Sequence, residues 1–287
     1  MHFASGVAAS RKNESHHFVP QFYLRHWCDG KGRLWVCPLT GHEPFLGTPK
    51  SIAAEKGLYD SAGTPFEKFD YEGSLAKLES LFAGRWPEVF DDIGNPETKK
   101  HISRFLALMH TRHPAQKETV RRINSLLREM AARARGRKEI EITQSDGERT
   151  RIQVSDIDQY AADTEANTRA AFLSAMRASV GEIAQVLNAR KWGIIVSDVP
   201  GFLTSDRPLV VNRGHCRDQV FGLGSPGTTV TFPISPTRLL LIGDGFKKDG
   251  SHYQIESVTG PNTDTIRGAG RFVFARDKPW SLKVPKA

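Results

Sequence analysis

Two histidines, His16 and His17, stand directly before a Val-Pro step and an aromatic cluster in the stretch SHHFVPQFYLRHW, residues 15–27. An imidazole placed beside carboxylates can carry a proton or ligate a divalent cation. The carboxylates that could join it lie far along the chain. Setting Leu75 at zero and turning each residue by about 100°, Phe82 falls near −20°, Trp86 near +20° and Glu79 near +40°, inside an apolar stripe. An inward-facing carboxylate needs a cation, a hydrogen-bond network or a metal, because desolvating it alone is costly. Projected in the same way from Phe105, Arg112 falls near −20°, on the buried face of the next helical pattern, and His113 flanks that face near 80°. Its planar guanidinium either pairs with Glu79 or clamps a substrate phosphate. Asp206 breaks the apolar stretch GFLTSDRPLVV, residues 201–211. A carboxylate at the end of a buried strand can be aimed rigidly at a metal or a proton, and it can equally cap its own turn.

These residues suggest phosphodiester hydrolysis. His16, His17, Arg112 and Asp206 are the candidate catalytic residues. His17, Glu79 and Asp206 are the candidate ligands of Mg²⁺ or Mn²⁺, which would generate the nucleophile and bear developing charge. If the segment is extended, the adjacent histidines point to opposite faces, so only one joins a given site easily. The competing reading makes both histidines structural or surface residues and Glu79–Arg112 a buried ion pair.

The chain has 287 residues and a net charge of +8, with pI near 9.5. A basic balance favours polyanionic partners, here nucleic acid or a nucleotide. The excess gathers over residues 112–138, and Lys117, Arg121, Arg122 and Arg128, with Arg207, are the candidate phosphate contacts. A solvated helix face is the alternative. No apolar run is long enough to cross a bilayer and no secretory signal is visible, so the expectation is a cytoplasmic protein without membrane contact. Three scattered cysteines, Cys28, Cys37 and Cys216, support neither a disulfide framework nor a paired-Cys zinc site. The glycine-rich GLGSPG lacks the Lys-Ser/Thr of a P-loop, and no GxSxG elbow, kinase signature or HExxH appears. The oligomeric state is open.

The elements that must position these residues read as α+β: an N-terminal β-hairpin joining a C-terminal, mostly antiparallel sheet, with a helical middle packed against it. Residues 1–14 read as a flexible arm and 15–287 as a single domain, helical over about 67–190 and β-rich over about 191–280. QFYLRHW and RLWVCPL form the predicted hairpin around a DGKG turn, and SIAAEKGLYD holds one helical turn. Helices are predicted over 67–84, from Pro96 to near Pro114, and on to about Arg135. EIEITQSDGERTRIQV is a second hairpin, and a Ser155/Asp158 cap opens the longest helix, ending at Arg190. KWGIIVS, GFLTS, PLVVN, TVTFPI, RLLLIG and RFVFAR are strands. The return of the first hairpin to this sheet would bring HHFVP and TSDRP together.

The order HHFVPQFYLRHW, AAEKGLYD, the Glu79 helix, RFLALMHTRHP, then FLTSDRPLVV and FPISPTRLLLIG resembles the bacterial family of unknown function numbered 4238, over about residues 15–275. The resemblance implies one domain with motif residues His16, His17, Pro20, Glu79, Arg112 and Asp206, and carries no catalytic assignment. Arg207 departs from the Asn or similar residue usual before the proline, making the site's rim more cationic. The leading expectation is a metal-dependent phosphodiester hydrolase acting on nucleic acid or nucleotides. The alternative is a non-catalytic nucleic-acid- or protein-binding module, with a role in a bacterial defence or toxin-like system as a third reading.

Overall fold

The computed structural model describes residues 14–134, 136–143, 148–160, 164–246 and 248–278. The predicted arm thus lies, except for Glu14, outside the described residues. After β1 (Ser15–His17), Pro20 begins α1 (Gln21–Leu24), which runs into a 3₁₀ turn over Arg25–Trp27. The predicted strand QFYLRHW is therefore helical. Tyr23, Leu24 and Trp27 are all fully buried, a spacing of one and four that a helix turns to one side and a strand would split between two faces. Asp29 still closes the expected bend, its Oδ1 accepting the N–H groups of Lys31 and Arg33, and β2 (Leu34–Pro38) follows. Next come β3 (Phe45–Gly47) and β4 (Ala54–Lys56). The second of these replaces the helical turn expected in SIAAEKGLYD. It pairs antiparallel with β1, setting His16 opposite Glu55.

The helical middle starts with α2 (Tyr71–Arg85), whose Asp70 cap accepts the Gly73 N–H at 2.8 Å. Pro87 forces the restart as α3 (Glu88–Asp91). Asn95 and Pro96 open α4 (Pro96–Thr111), and the next proline opens α5 (Pro114–Arg133) one step later. The hairpin β5 (Glu139–Thr143) and β6 (Arg149–Gln153) forms as expected, although residues 144–147 of its turn are outside the described ones. The predicted single long helix is two: α6 (Val154–Tyr160) and α7 (Glu165–Ala189). Thr164, whose hydroxyl accepts the Asn167 N–H, starts the second locally, in place of the Ser155/Asp158 cap.

The C-terminal part contributes β7 (Lys191–Val196), β8 (Thr204–Ser205), β9 (Val210–Asn212), β10 (Thr229–Ser235), β11 (Arg238–Gly243), β12 (Ser251–Gln254), α8 (Thr259–Gly268) and β13 (Phe272–Ala275). One sheet runs β12-β7-β11-β10-β9, antiparallel except for β12 against β7. A second runs β3-β2-β13-β8, antiparallel throughout. The architecture is α+β. Strand β2 alone makes the expected return, pairing Trp35 with Ala275 and Pro38 with Phe272. Neither β12 nor α8 is expected from the sequence, since SHYQ is polar and TGPNTDTIRG is rich in turn residues.

The core closes where the two sheets meet α1, α2, α4 and α7. Rings of Tyr23, Trp86 and Phe105 interlock with Phe232 of β10, and Tyr23 donates its hydroxyl proton to the Pro233 carbonyl at 2.8 Å. Trp27 donates to the Phe202 carbonyl. Each such buried aromatic contributes on the order of 2 kcal/mol by removal from water. Together they fix the chain just before Asp206. No helix among the described residues is long and apolar enough to cross a membrane.

Candidate functional site

The site forms at the junction of α4 and α5, because Pro114 cannot continue α4 and instead opens a new helix with His113 as its cap. Arg112, the last residue before this break, is fully buried. Its Nε donates to the Phe18 carbonyl at 2.8 Å and its Nη1 to Glu79 Oε1 at 2.7 Å, while Tyr59 donates its hydroxyl proton to the Arg112 carbonyl at 3.1 Å. The guanidinium thereby ties the β1–α1 connection to α2. The two helical projections therefore meet as an ion pair rather than as a phosphate clamp.

His16 and His17 do diverge as an extended segment requires. His16 is buried, its Nδ1 accepting the Tyr59 N–H at 2.9 Å and its ring stacked on that tyrosine. Burial pushes its pKa down, against the opposing pull of Glu14 and Asp60. His17 faces the other way, with Nε2 3.1 Å from the Lys50 carbonyl. Both hold backbone in place, and neither contacts Glu79 or Asp206.

Asp206 is locked in the turn that leaves β8. Its own N–H donates to the Phe272 carbonyl, Oδ1 accepts the Gly270 N–H at 2.8 Å, and Oδ2 accepts the Arg271 N–H at 2.8 Å. The expected metal ligands His17, Glu79 and Asp206 are thus each engaged by a different protein group. Among the described residues no three His, Cys, Asp or Glu side chains gather as a metal site. A divalent cation needs oxygen or nitrogen ligands converging within about 2.0–2.6 Å, which this set does not supply.

The partner that Asp206 does face is His113, whose Nε2 stands 3.9 Å from Oδ2. His113 Nδ1 accepts the Ala115 N–H at 3.0 Å and faces Arg207 Nε at 3.3 Å, so the imidazole proton sits on Nε2, toward the carboxylate. Burial lowers the His113 pKa, with Asp206 opposing and Arg207 and Arg271 reinforcing the shift. Burial alone would raise Asp206, but the facing His113 and the two amides outweigh it and hold the carboxyl below its ordinary range. Phe18 meets the His113 ring edge-on, with centroids 5.0 Å apart, so HHFVP and TSDRP approach each other through this histidine. The sequence singled His113 out only as flanking a buried face. The His-Pro step between two helical patterns was the signal for its capping role.

Beyond this pair lies a cleft of about 570 Å³, bounded by the end of α4, the first turns of α5 and the segment Arg207–Val211. Met109, Leu209 and Val211 line it with apolar surface, His110, Arg122 and Arg207 with nitrogen, and Glu118, paired with Arg121, with a carboxylate. A recess of about 290 Å³ adjoins it, reaching Lys117, Arg121 and Arg271. The predicted phosphate contacts separate sharply here. Lys117 pairs with Glu165, Arg121 with Glu118 and Glu165, and Arg128 donates to the Asn124 carbonyl. Arg122 has no ion pair or hydrogen bond among the described residues, and the Arg207 Nη groups meet no acceptor there. Both guanidinium groups are exposed to the cleft. His110, half-buried beside them, has its pKa lowered by burial, then by His113 and Arg207.

A second cleft, of about 520 Å³, opens at α8. Its central polar side chain, Asn262, is engaged by the Leu203 N–H and the Gly201 carbonyl.

Neither a curated protein nor a solved structure matches the chain. The family model described as "Protein of unknown function (DUF4238)" matches residues 15–279, nearly the whole of the described fold and every residue of the α4–α5 junction. The chain therefore belongs to the DUF4238 family.

Proposed function

We propose that this chain is a binding module for a phosphate-bearing ligand, nucleic acid or nucleotide, held in the cleft at the α4–α5 junction. The observation that carries the reading is the pair Arg122 and Arg207: two guanidinium groups without carboxylate partners among the described residues, facing one concave surface. Guanidinium presents a planar fork of donors that matches phosphate oxygens bidentately. The positive end of the α5 dipole adds to the attraction for an anion. Asp206 supports the cleft from behind by tying the turn before Arg207 to the Gly270 and Arg271 amides, and His113 accepts from Arg207 Nε. No ligand set for a divalent metal is assembled among the described residues, so the binding reading takes precedence over metal-dependent hydrolysis.

The test is fluorescence anisotropy of a labelled single-stranded oligonucleotide bearing a 5′-phosphate, measured across salt concentrations. Pairing of the phosphate with the two guanidinium groups releases counterions, so the log–log plot of affinity against salt should have a negative slope. The double variant Arg122→Gln/Arg207→Gln is expected to lose at least tenfold in affinity and flatten that slope. Equal binding by wild type and double variant would remove the cleft from the function.

A further inference from the structure

We infer that the cleft takes a single nucleotide unit by its terminal phosphate, a nucleoside monophosphate or the phosphorylated end of a strand, and not the body of a polymer. This deepens the phosphate-binding reading and rests on it. Three observations carry it. Among the described residues lining the cleft, Arg122 and Arg207 are two guanidinium groups without a carboxylate partner, whereas Lys117 and Arg121, nearer the start of α5, are neutralised by Glu165 and Glu118. A polymer laid from the cleft toward the start of α5 would meet ion pairs after its first phosphate, and displacing a carboxylate for each further phosphate offsets part of the electrostatic gain. The cleft also has the size of a small-ligand site: at about 570 Å³ it lies within the usual range of roughly 300–1,000 Å³.

Its lining is divided in the way a nucleotide is divided. Arg122 and Arg207 supply the cationic part, while Met109, Leu209 and Val211 supply an apolar surface on which a base can lie. Gln116, half-buried in the wall, makes no side-chain hydrogen bond among the described residues. A primary amide offers both donors and an acceptor, the pattern needed to pair with a base edge. Inorganic phosphate would use only the first of these parts and a nucleoside only the other two.

Isothermal titration of the full chain with the four nucleoside 5′-monophosphates, the matching nucleosides, inorganic phosphate, and one oligonucleotide with and without its 5′-phosphate tests this directly. Expected is one-to-one binding of at least one monophosphate, at least tenfold tighter than its nucleoside and than inorganic phosphate. The 5′-phosphorylated oligonucleotide should bind at least tenfold tighter than the unphosphorylated one. Arg207→Gln should weaken the monophosphate at least tenfold, and Gln116→Leu should weaken it severalfold while leaving inorganic phosphate unchanged. The ligand comparison uses wild-type protein alone, so it stands whether or not the variants fold. An oligonucleotide that binds equally with and without its end phosphate, yet depends on Arg207, would overturn the single-nucleotide inference and leave phosphate binding in place. Inorganic phosphate binding as tightly as every monophosphate would also overturn it. No binding of any phosphate-bearing ligand would overturn both.

Discussion

Arg112 and Arg207 both adjoin His113, one through the chain and one through space, yet they sit in opposite environments. Arg112 is fully buried, with Nε on the Phe18 carbonyl and Nη1 on Glu79. Arg207 is exposed, donates through its Nε to the His113 ring, and turns the rest of its guanidinium to the cleft. The difference lies in what precedes each residue. Arg112 ends a helix whose buried face carries Ile102, Phe105 and Met109, so its side chain enters the core, where Nε and Nη1 find acceptors and Nη2 stays buried without one among the described residues. Arg207 follows a carboxylate already held by two amides, so it lacks a nearby acidic partner. A cation serves folding where the chain surrounds it with acceptors, and is left for a ligand where the chain has committed those acceptors elsewhere.

The largest expected effect lies on the buried side. Glu79→Leu leaves the buried Arg112 charge without its carboxylate, and unfolding in denaturant should show a loss of about 3 kcal/mol, the lower end of the range for breaking such a pair because Glu79 keeps partial contact with water. A loss under about 0.5 kcal/mol would mean the pair is no more than a surface bridge. The intermediate layer is tested next. Asp206→Asn keeps the shape but has one acceptor oxygen where the carboxylate has two, so either the Gly270 or the Arg271 amide is orphaned, at about 1–3 kcal/mol. Gly270→Ala probes the same junction sterically, because an added Cβ would lie 3.1 Å from Asp206 Oδ2 and from Arg207 Nε. It should lower stability by about 1 kcal/mol and shift Arg207.

Acidification sharpens the picture further. His16 and His113 titrate below the ordinary imidazole value because burial opposes their charge. Between the lowered folded pKa and the unfolded value near 6.5, the unfolded chain binds more protons, so stability falls as pH drops below about 6.5 and levels off once the folded imidazoles protonate. Asp206, also lowered, contributes stability that is present above its unfolded value near 3.8 and is lost as pH falls through its folded pKa. The imidazole window is opposed by Glu72, whose carboxyl burial and the nearby Glu79 push up to about 7, so it is read from the difference between wild type and variant, while the Asp206 window lies separately at lower pH. In His113→Asn the first window should shrink, and an unchanged profile would show that His113 is not a buried neutral imidazole. The smallest stability effect belongs to Arg207→Gln, within about 0.5 kcal/mol of wild type, because the side chain is exposed and lacks a carboxylate partner among the described residues.

The sequence made one half of this arrangement readable and hid the other. Helical periodicity put Glu79 and Arg112 on buried faces, and the alternation of an extended segment separated His16 from His17, because both depend only on local geometry. The class of fold followed from the change from helical to β-rich patterning near residue 190. QFYLRHW was misread because a short apolar run fits either period, and Pro20 in fact starts a helix there. The expected metal ligands are not brought together among the described residues, for a different reason. Residue types report what a side chain can ligate, whereas its partners are settled by tertiary contacts from Lys50, Arg112 and the Gly270–Arg271 backbone, none of them near in sequence. The same applies to the basic stretch, where Glu165 and Glu118 neutralise Lys117 and Arg121 and leave Arg122 for the cleft.

The most direct test of the central claim is a paired measurement, melting temperature and affinity for a 5′-phosphorylated oligonucleotide, on two proteins: Glu79→Leu, assayed well below its melting point, and Arg122→Gln/Arg207→Gln. The first is expected to lose several degrees of melting temperature and keep its affinity within about twofold, while the second keeps its melting temperature within about 2 °C and loses at least tenfold in affinity. The opposite pattern, with binding lost in folded Glu79→Leu and retained in the double variant, would place the ligand at Arg112 and contradict the assignment of the cleft.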